Sequence, residues 1–398
     1  MTRIKILFLT PQLPYPAVSG GSIKSAKVIE HLITQHDVTL GCLLKNSTEN
    51  INLDKFKDHF PQLAIFTIYL SIGRTLTALL NSYMKVLPLT IYRNYSLEFK
   101  NKVDAIADDY EVIFVDHYLM FQYIPKSYTG RVVMHLHNAE FVMWSRYATI
   151  INNPLKKLLL AIESYRIKHY ELKMLAQVSI ALAAPNDKEA LVTAGADPTQ
   201  FIDTFHLGDA QNLTRKNLTY ETSSLSILYI GTLSWEANSD GLIWFLKHSW
   251  PLVKAKQPNV TFTIAGSCPP QLRDTLLKLE PNLNLLGFVE DLEVLYQTHR
   301  VFICPLRFGS GIKVKVINSL YRGLPTVMTP IAAEGLALNN RQHTYITHDA
   351  ADFASYVVTL LTNKNQWLLF NNESRSLMLQ DYTWDKVLKN IDKSLTEA

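Results

Sequence analysis

The chain alternates short, wholly apolar runs with longer amphipathic stretches. In the first half the runs are IKILFLT (Ile4 to Thr10), DVTLGCLL (Asp37 to Leu44), EVIFVD (Glu111 to Asp116), RVVMHLH (Arg131 to His137) and VSIALAA (Val178 to Ala184). The second half repeats the grammar with SILYIGT (Ser226 to Thr232), VTFTIAG (Val260 to Gly266), LNLLGF (Leu283 to Phe288), VFICPL (Val301 to Leu306) and PTVMTP (Pro325 to Pro330). Runs that are apolar throughout, without alternation, predict parallel strands buried on both faces. Between them, Ile23, Ala26, Ile29, Leu32 and Ile33 fall on one helical face, and Asp291 to His299 and Gly311 to Gly323 also carry a helical period. This alternation predicts right-handed strand–helix–strand units, hence an α/β chain with two doubly wound sheets and a cleft at their carboxyl ends. The polar stretch Asp209 to Ser224 reads as the linker, placing one domain at 1–208 and a second from 209 onward.

Length and composition narrow this further. At 398 residues, with 47% hydrophobic and 19% charged positions, the chain forms cores and is not disordered. Cys42, Cys268 and Cys304 are far apart and form no CxxC pair, which excludes a disulfide framework or a cysteine zinc site. No run approaches the roughly 18 apolar residues of a membrane span, and the five-residue apolar start is too short for a secretion signal. A cytoplasmic protein is the expectation.

The net charge of +4 is uneven: residues 1–200 hold 21 Lys and Arg against 17 Asp and Glu, and residues 201–398 hold 18 of each. The excess concentrates in 72–102 (Arg74, Lys85, Arg93, Lys100, Lys102) and in 152–175 (Lys156, Lys157, Arg166, Lys168, Lys173), both rich in Leu, Ile and Tyr. Two readings stand: solvated amphipathic helices, or contact with an anionic membrane surface or lipid-phosphate acceptor. Nucleic acid is not expected, because no basic stripe with stacking aromatics occurs.

Three clusters carry candidate chemistry. Gly20, Gly21 and Ser22 sit between a strand and a helix, where a close backbone and a helix N-terminus suit an anion, or where Ser22 is only an N-cap. Gly309, Ser310, Gly311 and Ile312 form a glycine-flanked loop before a helix predicted to begin near Gly311. Lys313 and Lys315 in its first turn work against the helix dipole unless an anion lies there, or unless both point to solvent. Lys315 and Asn318 share a helix face. His135, His137, Asn138 and Glu140 cluster at a strand end; His137 is the candidate polar group beside a reacting hydroxyl, or a buried hydrogen-bonded histidine. Glu140 also fits a helix N-terminal charge. A metal site lacks a third ligand. Asp116-His117 closes a second strand at a comparable position.

Taken in order, these segments resemble a glycosyltransferase of family 4, with retaining chemistry and the two-domain GT-B architecture. The likeness runs through TPQLPYPAVSGGSIKSAKVIEHL, HNAE at His137 to Glu140, GTLSWEANSDGLIWF (Gly231 to Phe245), IAGSCPP (Ile264 to Pro270), GFVEDL (Gly287 to Leu292), PLRFGSGIKVKVINSLYRGLPTVMTPIAAEGL (Pro305 to Leu336) and YTW (Tyr382 to Trp384). It implies transfer of a sugar from a nucleotide-diphosphate sugar to a saccharide or polyprenyl-linked acceptor, without a bound metal or other cofactor. It implies an acceptor-side N-domain and a donor-side domain at 209–380, with a final helix within 381–398 crossing back onto the first domain. The base is then expected near Phe288 and Val289, the nucleotide beside the loop after Gly266, and the diphosphate over Ser310 to Lys313. Surface polysaccharide assembly, with peripheral attachment at the inner face of the plasma membrane, is the corresponding biological setting.

Two departures from the family pattern matter. Positions that often carry two glutamates hold Ser310 and Asn318, and the stretch that often carries a phosphate-clamping Arg and Lys holds Thr232, Trp235 and Asn238. The expectation is that Lys313 or Lys315 supplies the missing positive charge. The alternative is a degenerate GT-B protein that binds a nucleotide or a partner without catalysing. An epimerase on the same architecture would need more cleft carboxylates, and an oxidoreductase would need a GxGxxG after the first strand.

Overall fold

A computed structural model describes residues 3–396, except 18–19, 46–48, 72, 74, 206, 209–213 and 215–216. The chain divides into two compact units: Met1–His206 together with Asp385–Ala398, and Leu207–Trp384.

In the first unit, seven parallel strands stand in the order β3-β2-β1-β4-β5-β6-β7. They are β1 (Lys5–Thr10), β2 (Asp37–Leu44), β3 (Ala64–Tyr69), β4 (Val112–Asp116), β5 (Arg131–His135), β6 (Ile180–Ala183) and β7 (Phe201–Asp203). The apolar runs have the predicted cause. Along β1, Ile6 and Phe8 enter one core cluster while Leu7 and Leu9 enter the other, so Ile6 to Leu9 are all buried on one face of the sheet or the opposite one. The helix Trp384–Thr396 belongs to this unit's core through Ile391 and Leu395, and Arg131 Nε donates to the Ser394 carbonyl at 2.7 Å. Each such buried aliphatic side chain is worth about 1.5–3 kcal/mol.

The second unit holds six parallel strands in the order β10-β9-β8-β11-β12-β13. These are β8 (Ser224–Ile230), β9 (Thr261–Ala265), β10 (Asn284–Gly287), β11 (His299–Cys304), β12 (Thr326–Met328) and β13 (Tyr345–Ile346). Both units are thus Rossmann-like and doubly wound, the pairing that defines the GT-B fold.

Several sequence expectations are corrected. β7 and β13 are too short to carry a continuous apolar run, and β3 is a further strand beyond those expected although its segment AIFTIY is largely apolar. β5 ends at His135, so His137 lies beyond the strand on the following loop. The helix expected from Gly311 begins at Val314, because Gly309 (φ 135°) and Gly311 (φ 69°) adopt left-handed backbone that a helix cannot continue through. Of the linker reading at 209–224, residues 209–213 and 215–216 lie outside the described ones, and its last residue, Ser224, already belongs to β8. Ser19 and Arg74 also lie outside the described residues.

Each sheet has one point where strand order reverses: between β1 and β4 in the first unit, and between β8 and β11 in the second. Open parallel sheets bind ligands beyond the carboxyl ends of their strands at such points. Both candidate sites stand there.

Candidate functional site

In the first unit the hub is Asp116, the last residue of β4 and fully buried. Its Oδ2 accepts hydrogen bonds from Thr10 at the end of β1 (3.0 Å) and from Ser25 on the helix Gly20–Gln35 (2.6 Å). Its Oδ1 lies 2.8 Å from both His135 Nδ1 and His137 Nε2. The histidines hold the Asp116 carboxyl well below its ordinary range although burial alone would raise it. An ionised carboxylate accepts, so both histidines present N–H to it, which fixes their orientation.

The neighbours follow the same logic. His135 is fully buried, and burial pushes its pKa down to about 3, so it is neutral. His117 is depressed to about 3 by burial and by the nearby His137. It also sits at φ 85°, a left-handed conformation that costs a non-glycine residue about 1–3 kcal/mol. Its Nε2 is 3.8 Å from Glu140 Oε1, to which Asn138 Nδ2 donates at 3.3 Å. Burial raises Glu140 to about 7. The start of the helix Glu140–Ile150 is held by Glu171, which accepts from the backbone N–H of Glu140 (2.9 Å) and Phe141 (3.1 Å), while Asp187 accepts from that of Ala139.

Gly21 has a local role the sequence did not specify. A Cβ there would lie 3.2 Å from His137 Nδ1, so the glycine lets the helix start approach the imidazole. Gly20 opens that helix and Ser22 is buried in its first turn. Beneath the cluster lies Lys24, fully buried, whose Nζ has no hydrogen-bond partner among the described residues. Burial lowers it to about 7, against the charges of Asp116 and Asp187. Sequence reasoning missed Lys24, Ser25 and Thr10. The available signal was that Ser22 and Ser25, three apart, form a second, polar stripe on a helix already apolar on one face.

Asp116, His135 and His137 present atoms within 4.8 Å of one another, so the third group the metal reading lacked is in fact present. The short contacts to a shared carboxylate oxygen make this a hydrogen-bonded triad, with each histidine occupied by Asp116.

In the second unit the loops after β8, β9, β10 and β11 meet at one edge. Gly231 N–H donates to the Ala265 carbonyl (2.9 Å) and Gly266 N–H to that of Gly287 (2.7 Å). Gly266 (φ 140°) has no room for a Cβ, which would strike the Gly231 carbonyl. The solvent reading of the two lysines is overturned. Lys313, the residue before the helix Val314–Tyr321, is buried; its Nζ donates to the carbonyls of Ser310 (3.2 Å) and Gly311 and lies 4.0 Å from Glu334. Lys315 Nζ donates to Tyr229 Oη (2.9 Å) on β8 and to Asn238 Oδ1, and burial lowers it to about 8.

Asn238 Nδ2 in turn donates to the Thr232 carbonyl (2.8 Å), and Gly231 passes so close that a Cβ would sit 2.7 Å from Lys315 Nζ. Thus Lys315, Asn238 and Thr232 form one chain of contacts. Trp235 precedes the helix Glu236–His248 and packs beside Gly309. Ile312 is buried, and Ser310 Oγ is buried without a hydrogen-bond partner among the described residues. Phe288 is 71% exposed just beyond β10, with Val289 half-buried beside it. Asn318, three residues after Lys315 on the same helix, packs so tightly on Gly208 that a Cβ on that glycine would collide with Asn318 Oδ1.

Residues 224–363 match the family model described as "Glycosyl transferases group 1". A Klebsiella pneumoniae protein described as "Uncharacterized 44.6 kDa protein in cps region" is 23% identical over 403 residues, covering 98% of this chain and 99% of that protein. Among solved structures, Anabaena HepE in complex with UDP and glucose superposes with a TM-score of 0.68 at 13% identity, over the whole of both chains. Sucrose-phosphate synthase from Thermosynechococcus elongatus gives 0.68 at 14% identity, covering 98% of each chain. S. aureus TarM, in complex with fondaparinux, α-GlcNAc-glycerol and UDP, gives 0.68 at 9% identity, covering 99% of this chain and 100% of that one. The whole chain thus shares the GT-B fold of these structures, and its second unit carries the match to the group 1 glycosyltransferases.

Proposed function

We propose that this chain is a glycosyltransferase that moves a sugar from a nucleotide-diphosphate sugar to a saccharide or polyprenyl-linked acceptor, with retention at the anomeric carbon. The observation that carries the reading is where the group 1 segment puts its charge: Lys315 and the Gly309–Lys313 loop lie at the switch point of the second sheet. Relatives of the same fold were crystallised with UDP and sugars, and one sequence relative is described by a cps region. Surface polysaccharide assembly is the setting those likenesses support.

On the donor side, the developing negative charge of the departing nucleoside diphosphate requires preorganised donors. Ser310 Oγ, the backbone of the Gly309–Lys313 loop and Lys315 supply them, with Gly266, Phe288 and Val289 flanking the nucleoside. On the acceptor side, His137 is fixed by Asp116 and orients the reacting hydroxyl or the transferred sugar. The leaving phosphate oxygen takes up the acceptor proton, so the scheme demands no strong protein base. The degenerate alternative draws support from Lys313, whose ammonium is already engaged by its own loop. Incubation with a panel of nucleotide sugars, following nucleoside diphosphate release, separates the two: the active reading is lost if no sugar is turned over while nucleotide binding persists.

The basic, apolar segments of the first unit support peripheral membrane attachment. No helix among the described residues is long and apolar enough to cross a membrane. Yet Leu76, Leu80, Met84, Val86, Leu155, Leu158 and Tyr165 are all more than half exposed, and Arg166 joins the two segments by stacking 4.2 Å over Tyr83 and donating to the Ser82 carbonyl. Apolar side chains set among lysines suit an anionic headgroup surface. Flotation with phosphatidylglycerol vesicles is expected at low salt and weakened at high salt; no flotation in either would remove this attachment.

A further inference from the structure

A cavity of about 480 Å³ opens at the carboxyl end of the first sheet, within the range of small-ligand sites. One wall is the hub already described: Thr10, Asp116, His117 and His137. The facing groups are different in kind, because Lys45 and Arg93 both line the same space. Lys45 follows β2 and is aimed by Asn94, whose Oδ1 accepts from its Nζ at 2.8 Å. Arg93 ends the short helix Leu89–Arg93, next to that asparagine. Glu49 is tied to the backbone N–H of Lys45 at 3.0 Å. The one carboxylate in the cavity wall, Asp116, already accepts from Thr10, Ser25, His135 and His137.

Lys45 and Arg93 thus line one partly desolvated cavity; burial works against protonation of Lys45, the charge of Glu49 works for it and that of Arg93 against it. Such an arrangement is relieved by an oxyanion between them, since charge-assisted hydrogen bonds are about twice as strong as neutral ones. The rest of the lining mixes hydroxyl, amide and imidazole groups, which suit sugar hydroxyls, with the apolar faces of Pro11, Leu70 and Leu119, which suit the C–H faces of a sugar ring.

We propose that this cavity binds a sugar bearing an oxyanion, a carboxylate or a phosphate, with Lys45 and Arg93 on the anion and the ring hydroxyls toward His137. The proposal rests on the glycosyltransferase reading, in that the anionic sugar is then part of the acceptor. It makes Lys45 and Arg93 specificity determinants, separate from the group that orients the reacting hydroxyl.

The test is a ligand-observed NMR titration of the full chain, in the presence of saturating UDP, with methyl glucoside, methyl glucuronide and glucose 1-phosphate. At least one charged sugar is expected to bind about tenfold or more tightly than the neutral one, consistent with one charge-assisted pair. Preference for the glucuronide identifies a uronic acid, and preference for the phosphate identifies a phosphorylated or lipid-phosphate acceptor. Lys45→Gln and Arg93→Gln should each erase most of the preference, while Lys45→Arg and Arg93→Lys should keep it.

Equal affinity for all three sugars overturns the proposal, as does a preference that survives both glutamine variants. If either of those fails to fold, the wild-type comparison alone decides. Calorimetry with UDP reads the second unit separately. Silent UDP with a retained charged-sugar preference sinks the donor reading alone, and bound UDP with no preference sinks this one alone.

Discussion

The two switch points are built on opposite electrostatic plans. In the first unit the hub is a buried anion: Asp116 gathers two hydroxyls and two imidazoles from four elements. In the second it is a cation: Lys315 gathers Tyr229 and Asn238, with Lys313 buried nearby in its own loop. The same topology gives each sheet a binding crevice, but the hub decides which chemical group meets the strand ends. A carboxylate saturated by histidines turns imidazole edges toward a neutral hydroxyl. A lysine drawn against the strand ends favours a phosphate. Under the proposed transfer, the first crevice would serve the acceptor and the second the donor.

The sharpest way to break that contrast is to remove the imidazole. His137→Ala is expected to lower turnover by about 10²–10⁴-fold, the range for a positioned proton-handling or orienting group, with UDP affinity unchanged. Gly21→Ala should act in the same direction more weakly, because its methyl would press on His137 Nδ1. Turnover within twofold of wild type for His137→Ala, measured as nucleoside diphosphate release, discards the assignment. Asp116→Ala is the wrong probe for this purpose. It leaves two histidines, Thr10 and Ser25 without their acceptor, and a broken buried network of that kind costs about 3–5 kcal/mol of stability.

How far this was readable beforehand depends on what kind of signal each feature leaves. β1 announces itself because both faces of the sheet are covered there, so Ile6 to Leu9 are all apolar. β3 also carries a largely apolar run, Ala64 to Tyr69, but stands half-buried at the sheet edge, and β13, two residues long, leaves no run to detect. The Gly309–Lys313 loop was legible as a candidate site but not as a shape, because nothing in the letters says that two glycines adopt positive φ and delay the helix to Val314. His137 stood out by its neighbours HNAE, whereas Asp116 was legible only as a strand-end candidate beside His117 and not as a hub. A lone aspartate at a strand end has no local signature, and the groups that make it a hub come from positions 10, 25, 135 and 137. Lys24 was invisible for a related reason: burial of a helix on its second face depends on what the sheet presents there.

An intermediate effect is expected from Lys315→Met, which keeps much of the side-chain volume and deletes the charge. If the cation is the donor-side hub, affinity for UDP falls by about tenfold or more, as for a lost charge-assisted contact. Sugar binding by the first unit should be untouched. Lys313→Met should instead loosen the Ser310–Gly311 loop, lowering thermal stability of the second unit ahead of affinity. Calorimetric UDP affinity equal to wild type in both variants would show that the second hub is structural, and the contrast between the units would lose its chemical meaning.

The smallest effect is a matter of pH, and it tests whether the buried cation of the first unit belongs to the anionic hub at all. Burial depresses Lys24 from 10.5 to about 7. Between those values the unfolded chain holds a proton that the native chain has lost, so stability rises with pH across that window and the full penalty of charging persists below it. Glu140 runs the other way. Raised from 4.5 to about 7 by burial, it holds a native proton that the unfolded chain has released, so stability falls as pH climbs through that range. The two windows meet near neutrality, and the first unit is expected to be least stable there. Lys24→Met should flatten the rise above pH 7 and leave the fall below it, while Glu140→Gln should do the reverse. Urea unfolding from pH 5 to 10, followed by circular dichroism, reads both slopes. An unchanged rise in Lys24→Met would mean that the amine carries its charge in the native state, answered by Asp116 and Asp187. In that case the first hub is not a lone anion but a buried ion cluster, and its contrast with Lys315 is one of degree.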